Sequence, residues 1–142
     1  MKFFFKIILP YIMLVLLMAC GGGTQLNENT TQQESEYGKA KAEVYYFHGN
    51  RRCVTCNAIE ELVKSFVNET YKDNKEVKFF VINFEKEENK EIAGKFGVEW
   101  SSLILASGKK SMDLTVEAFQ YVKSDPDYLK GEMKKIIDDF LK

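Results

Sequence analysis

The chain has 142 residues, with 20 Lys and Arg against 21 Asp and Glu and a formal net charge of −1. That length suits one domain with additions, and so even a charge balance offers no basic face to a nucleic acid or other polyanion. Eleven Phe and seven Tyr are enough for a sizeable core, which excludes a chain that is disordered throughout.

Lys2 and Lys6 make a short basic stretch, and residues 7–18 an apolar run too short to span a bilayer comfortably. The run ends at Ala19, followed by Cys20 and three glycines. Leu17-Met18-Ala19-Cys20 resembles the lipobox of bacterial lipoproteins. The resemblance implies a signal peptide over residues 1–19, cleavage before Cys20 and lipid on that cysteine. The protein would then be anchored to a membrane of the bacterial cell envelope, its domain facing the periplasm or the exterior. The alternative is an ordinary secretory signal with an incidental cysteine. Residues 21–40 are Gly, Thr, Gln, Asn, Glu and Ser with almost nothing to bury. With Cys20 they read as a tether over residues 20–40, with a reach of about 25 Å.

From residue 41 the pattern becomes periodic. Val44-Tyr45-Tyr46-Phe47 is a continuous apolar run that predicts a buried strand. Ile59, Leu62, Val63, Phe66 and Val67 recur at helical spacing and predict a helix over residues 53–69. Residues 77–82, with Phe79, Phe80 and Val81 at their centre, predict a strand central in a sheet. Ile92, Ala93 and Phe96 share one face of a charged helix over residues 87–96, stopped at Gly97. Leu103-Ile104-Leu105 is a third strand, and Ser107-Gly108-Lys109-Lys110 a hairpin turn. Met112, Leu114 and Val116 alternate with Asp113 and Thr115, predicting a half-exposed fourth strand. Residues 117–123 are ambiguous. Ser124-Asp125-Pro126 starts a last helix, whose buried face is Leu129, Met133, Ile136, Ile137 and Phe140.

The chemistry concentrates in Cys53-Val54-Thr55-Cys56, at the start of the first helix and just after the first strand. A thiolate attacks where a thiol does not. A helix N-terminus presents unpaired N–H groups and the positive end of a dipole, which favours the ionised form of Cys53. Arg51 and Arg52 add positive charge nearby, or are ordinary solvated residues. Cys53 is therefore the expected attacking thiol and Cys56 the resolving one. His48 is the only histidine; it is a proton acceptor or ligand beside the thiols, or simply an exposed loop residue. Trp100 covers the site or packs in the core; Ser101 and Ser102 bond the sulfurs or cap a strand. Glu60 and Glu61 read as helix surface.

The order β-α-β, α, β-hairpin, α, with Cys-x-x-Cys at the first strand–helix junction, resembles the thioredoxin family. Phe96-Gly97-Val98-Glu99-Trp100-Ser101-Ser102-Leu103-Ile104-Leu105 resembles the family's approach to its third core strand. The resemblance covers residues 41–142. It implies an α/β, thioredoxin-like fold: a four-stranded mixed sheet with helices on both faces. More narrowly, the chain is similar to small bacterial thioredoxin-like lipoproteins identified as the ArsF family of nitrophenyl compound nitroreductase subunits. The family has Trp before the first cysteine and Gly-Pro between the two, where this chain has Arg52 and Val54-Thr55. Its buried acid matches Phe47 by position, and its cis-proline matches Ser101 or Ser102. A non-proline cis bond costs roughly 3 kcal/mol, so a trans peptide is expected there. Loss of the proline also leaves room for a metal.

Three functions fit. The first is an envelope thiol–disulfide oxidoreductase or electron-transfer protein using Cys53 and Cys56, with a protein dithiol, protein disulfide or electron donor as partner. The second is a metal-handling protein holding Cu(I) through Cys53, Cys56 and His48, since thiolates suit soft metals. The third is a non-catalytic binding subunit in which the disulfide is a staple. A monomer is expected, with no resident cofactor in the first reading and no nucleic-acid partner. One histidine and no phosphate-binding loop disfavour triad hydrolases and nucleotide enzymes.

Overall fold

The computed structural model describes residues 37–142. The leader, Cys20 and the tether up to residue 36 lie outside the described residues. The elements are β1 (Ala42–His48), α1 (Val54–Thr70), β2 (Val77–Asn83), a 3-10 turn (Glu87–Asn89) leading into α2 (Lys90–Lys95), β3 (Ser102–Ser107), β4 (Lys110–Asp113), α3 (Thr115–Tyr121) and α4 (Pro126–Phe140). The four strands form one mixed sheet in the order β2-β1-β3-β4. β1 pairs β2 in parallel, while β3 runs antiparallel to both β1 and β4.

Two apolar layers hold the sheet. On one face Val44, Tyr46, Leu103 and Leu105 pack against Ile59 and Val63 of α1, Ala118 of α3, and Leu129, Met133 and Ile137 of α4. On the other, Tyr45, Phe47, Ile82 and Ile104 pack against Ile92 and Ala93 of α2. β1 is thus buried on both sides, which is why its sequence is continuously apolar.

The positions of two strands correct the sequence reading. β2 lies at an edge, not at the centre; β1 and β3 are the central pair. Phe79 and Phe80 are only half-buried and Val81 is exposed. Phe80 earns its place by stacking on Tyr45, with ring centroids 5.2 Å apart. β4 is exposed along its whole length rather than on one face, and ends at Asp113. There the Asp113 carboxylate accepts the Thr115 amide at 2.8 Å, a local bond that turns the chain into a helix. Leu114 stays buried, but Val116 points to solvent from α3. The ambiguous stretch is this helix.

The other boundaries are where local chemistry puts them. Gly97 and Gly108 take left-handed φ values of 65° and 57°, ending α2 and turning the hairpin. Asp125 caps α4 through the Tyr128 amide at 3.0 Å, with Pro126 in the first turn. The chain enters the domain under a clasp. The buried Glu43 carboxylate accepts the amides of Gly38 and Ala40 and the Tyr45 hydroxyl. Tyr37 packs edge-on against Phe80, with centroids 4.9 Å apart.

Candidate active site

β1 delivers the chain to the site, and the loop after it is fixed from the side. The Asn50 amide donates to the Glu85 carboxylate at 3.1 Å, and the Asn83 side chain donates to the Asn50 side chain at 2.8 Å. Gly49 lies so close to the next loop that a Cβ there would sit 2.7 Å from the Glu85 carboxylate. A larger residue at position 49 would push aside the Glu85 carboxylate that holds the Asn50 amide.

Cys53 is the N-cap of α1, in extended conformation. Its sulfur accepts the Cys56 amide at 3.0 Å, as a capping Ser or Asp oxygen would. No acidic residue stands in the first turn of α1 to offset the positive end of the helix. Cys53 is exposed; Cys56 is 7% exposed. The two form a disulfide with their Cα atoms 5.0 Å apart. Solvent can reach one sulfur, while the other is shielded by the helix it belongs to.

The supporting residues divide. Arg52 reaches back along α1 to an ion pair with Glu60, both side chains only partly exposed. The carboxylate offsets part of the positive charge that the sequence places beside Cys53, so Glu60 is not mere helix surface. Ser101 lines the groove beside Trp100 and lowers the pKa of the Tyr46 hydroxyl. Ser102 is buried and donates to the Trp100 carbonyl at 3.0 Å, so it braces its own loop. Trp100 is 64% exposed and does not pack in the core. It lines an open groove of about 700 Å³ with Ser101, Thr115, Val116, Phe119 and Gln120. Among the described residues no peptide bond is cis.

His48 does not join the sulfurs. Its ring lies against Tyr46, with centroids 6.4 Å apart, and its Nδ1 is 2.9 Å from the Gly49 carbonyl. Among the described residues no three His, Cys, Asp or Glu side chains gather as metal ligands do. The three-ligand set Cys53, Cys56 and His48 is therefore not assembled, and only the two sulfurs remain for a soft metal after reduction.

Tyr46 is the residue that the sequence reading missed. It is fully buried, and its hydroxyl donates to the carbonyl of Cys56 at 2.8 Å. Phe47, the position matched to the family's buried acid, faces the opposite layer with Ile82 and Ile92. Burial pushes the Tyr46 hydroxyl up to about 12; Arg52 pulls it down, Glu60 raises it and the Ser101 hydrogen bond lowers it. A fully apolar strand shows no alternation, so nothing in it tells which neighbour faces α1.

No protein family and no curated protein matches the chain. Among solved structures, the germline-specific thioredoxin Deadhead of Drosophila melanogaster aligns with a TM-score of 0.51 at 18% identity, covering 77% of this chain and 93% of that one. Mitochondrial thioredoxin 3 of Saccharomyces cerevisiae, in its oxidised form, gives 0.49 at 18% identity over 77% and 88% of the two chains. Trxlp of Edwardsiella tarda gives 0.48 at 17% identity over 75% and 92%. Together with the sheet order and the helices on both faces, the first of these likenesses shows that the chain has a thioredoxin-like fold.

Proposed function

We propose that the protein is a thiol–disulfide oxidoreductase, or an electron-transfer protein of the same chemistry, held to a membrane of the bacterial envelope by lipid on Cys20. One observation carries the redox reading: an exposed Cys53 caps α1 and is bonded to a buried Cys56. In the reducing direction the Cys53 thiolate attacks one sulfur of a protein disulfide. A mixed disulfide forms and one substrate thiolate leaves. Cys56, having lost its proton, then attacks the Cys53 sulfur; the Cys53–Cys56 disulfide forms and the second substrate thiolate leaves. Two electrons have passed to the substrate, whose thiolates take up two protons. The reverse sequence oxidises a dithiol.

The apolar rim supports a protein substrate. Val54, Trp100, Val116 and Phe119 are all exposed, and the last three line the groove beside Ser101. An extended segment around the substrate's disulfide fits such a surface.

The position of the chain's entry favours the tethered arrangement. Residues 37–41 meet the start of β1, and the cysteines lie past its far end. Seven extended residues separate the two poles by about 20 Å. A lipid on Cys20 would thus attach through the pole of the domain that does not carry the dithiol.

The deciding experiment is the reduction potential of the Cys53–Cys56 pair in glutathione buffers, beside an insulin-reduction assay with Cys53→Ser as control. The expected result is a reversible two-electron couple and an activity that vanishes in the variant. A disulfide that never opens in dithiothreitol, or activity that ignores Cys53, would make the domain a binding module. Stoichiometric copper on the reduced pair, with no turnover, would make it a metal carrier.

A further inference from the structure

We infer that Tyr46 is the positioning residue of the dithiol: its buried hydroxyl bonds the Cys56 carbonyl and holds the second sulfur where the disulfide closes. The inference rests on the redox reading above and adds the group that tunes it.

The bond falls at a telling place. α1 is already fixed to the sheet by Ile59, Val63, Phe66 and Val67 further along. A phenylalanine at position 46 would fill the same volume among them. The hydroxyl instead reaches the first turn of α1, where Cys56 lies, and it does so from full burial. A buried hydroxyl without a partner is costly, and the partner this one finds is the Cys56 carbonyl, which receives its proton. The Cys56 carbonyl has a second lone pair for this bond besides the one the helix uses. The same carbonyl's amide group carries the Asn57 N–H, which donates back to the Cys53 carbonyl at 3.1 Å. The hydroxyl thus tightens the turn that spans both cysteines.

Fixing Cys56 raises the effective concentration of each sulfur at the other, which favours the closed disulfide. A net hydrogen bond is worth about 0.5–1.5 kcal/mol, or roughly a two- to tenfold change in an equilibrium constant. Tyr46→Phe should therefore lower the formation constant of the disulfide against glutathione by about three- to tenfold. That raises the potential by about 15–30 mV, at some 30 mV per decade for a two-electron couple.

The test measures that constant in the full-length protein in detergent micelles for wild type, Tyr46→Phe and a protein with 3-fluorotyrosine at position 46, with circular dichroism as a check on the fold. The fluorinated ring has a more acidic hydroxyl, a stronger donor to the Cys56 carbonyl, and should move the constant the opposite way from Tyr46→Phe. A wild-type pair that cycles while Tyr46→Phe, still folded, keeps the same constant overturns the positioning role and leaves the redox reading intact. If Tyr46→Phe does not fold, an unchanged constant in the fluorotyrosine protein overturns it equally. A wild-type pair that cannot be reduced overturns the redox reading, and this inference falls with it.

Discussion

The sulfur of Cys53 lies 3.0 Å from the amide nitrogen of Cys56, so the atom that caps α1 is also one of the two atoms of the disulfide. That sulfur stands at the helix terminus, where unpaired N–H groups favour a negative charge once it is reduced.

An asymmetry between the two thiols follows. In the reduced protein Cys53 should be alkylated by iodoacetamide at least about tenfold faster than Cys56 near neutral pH, because it is both exposed and better stabilised as thiolate. Mass spectrometry of partly modified protein reads the ratio. Cys56→Ser should trap mixed disulfides with substrates, and Cys53→Ser should trap none. Equal, slow modification of both sulfurs would show that the helix terminus does not activate Cys53.

The Arg52–Glu60 pair sits at the start of α1, with Arg52 next to Cys53 in the chain. Glu60→Gln leaves the guanidinium uncompensated beside Cys53, which should lower its thiol pKa and speed its alkylation in mildly acidic buffer. Arg52→Gln should do the reverse, leaving a bare carboxylate near the thiolate. Both side chains are partly exposed, so either change should alter stability by less than about 1 kcal/mol. Thiolate absorbance followed against pH separates the two variants; identical curves would place the pair outside the field of the sulfur.

Trp100 keeps 64% of its surface in solvent at the edge of the groove. If the groove receives the substrate chain, Trp100→Ala should raise KM for a protein disulfide several-fold while kcat stays near wild type. Reduction of a small disulfide such as oxidised glutathione should be unaffected, since it does not reach the groove. An equal loss with both substrates would assign the tryptophan to the chemistry instead.

Much of this architecture is legible in the sequence, and the exceptions have physical reasons. Helices α1 and α4 announce themselves through periodic Ile, Val, Leu and Met and through Pro126 after Asp125. β2 misleads because Phe79, Phe80 and Val81 look like a central strand; at the edge Phe80 joins the aromatic layer of Tyr37 and Tyr45, Phe79 packs against the layer on the other face, and Val81 is exposed. The end of β4 is hidden because Leu114 continues an alternation that the Asp113–Thr115 bond interrupts. At the site, the cysteines are plain from their spacing. Tyr46 is not, since its role depends on which way a doubly buried strand faces. Nor is the Arg52–Glu60 pair, whose partners stand eight residues apart across a helix start.

Three buried tyrosines set the behaviour at high pH. Burial is the main cause that raises the pKa values of Tyr45, Tyr46 and Tyr71, with Tyr46 at about 12. Each value lies above the unfolded one of about 10. The stability these groups contribute is therefore fully present below about pH 10 and is lost as pH rises through their folded values. Phenolate absorbance from these three rings should accordingly grow only together with the loss of circular dichroism. A single titration completed before any unfolding would contradict the burial of these rings.

Glu43 closes the opposite pole of the molecule. It is 3% exposed and accepts three hydrogen bonds, two from backbone amides of the entering chain and one from Tyr45. Removing the carboxylate leaves those donors without their acceptor, at a cost of about 1–3 kcal/mol for a buried group. Glu43→Ala should lower the urea midpoint with little change in the slope. It should also expose residues 37–41 to proteases before the rest of the domain unfolds, since they lose the clasp but α1 and α4 do not. The Cys53–Cys56 potential should stay as in wild type, because the clasp and the cysteines lie at opposite ends of β1. A shift in that potential would mean that the two poles are coupled through the strand, with Tyr46 as the residue that carries the change.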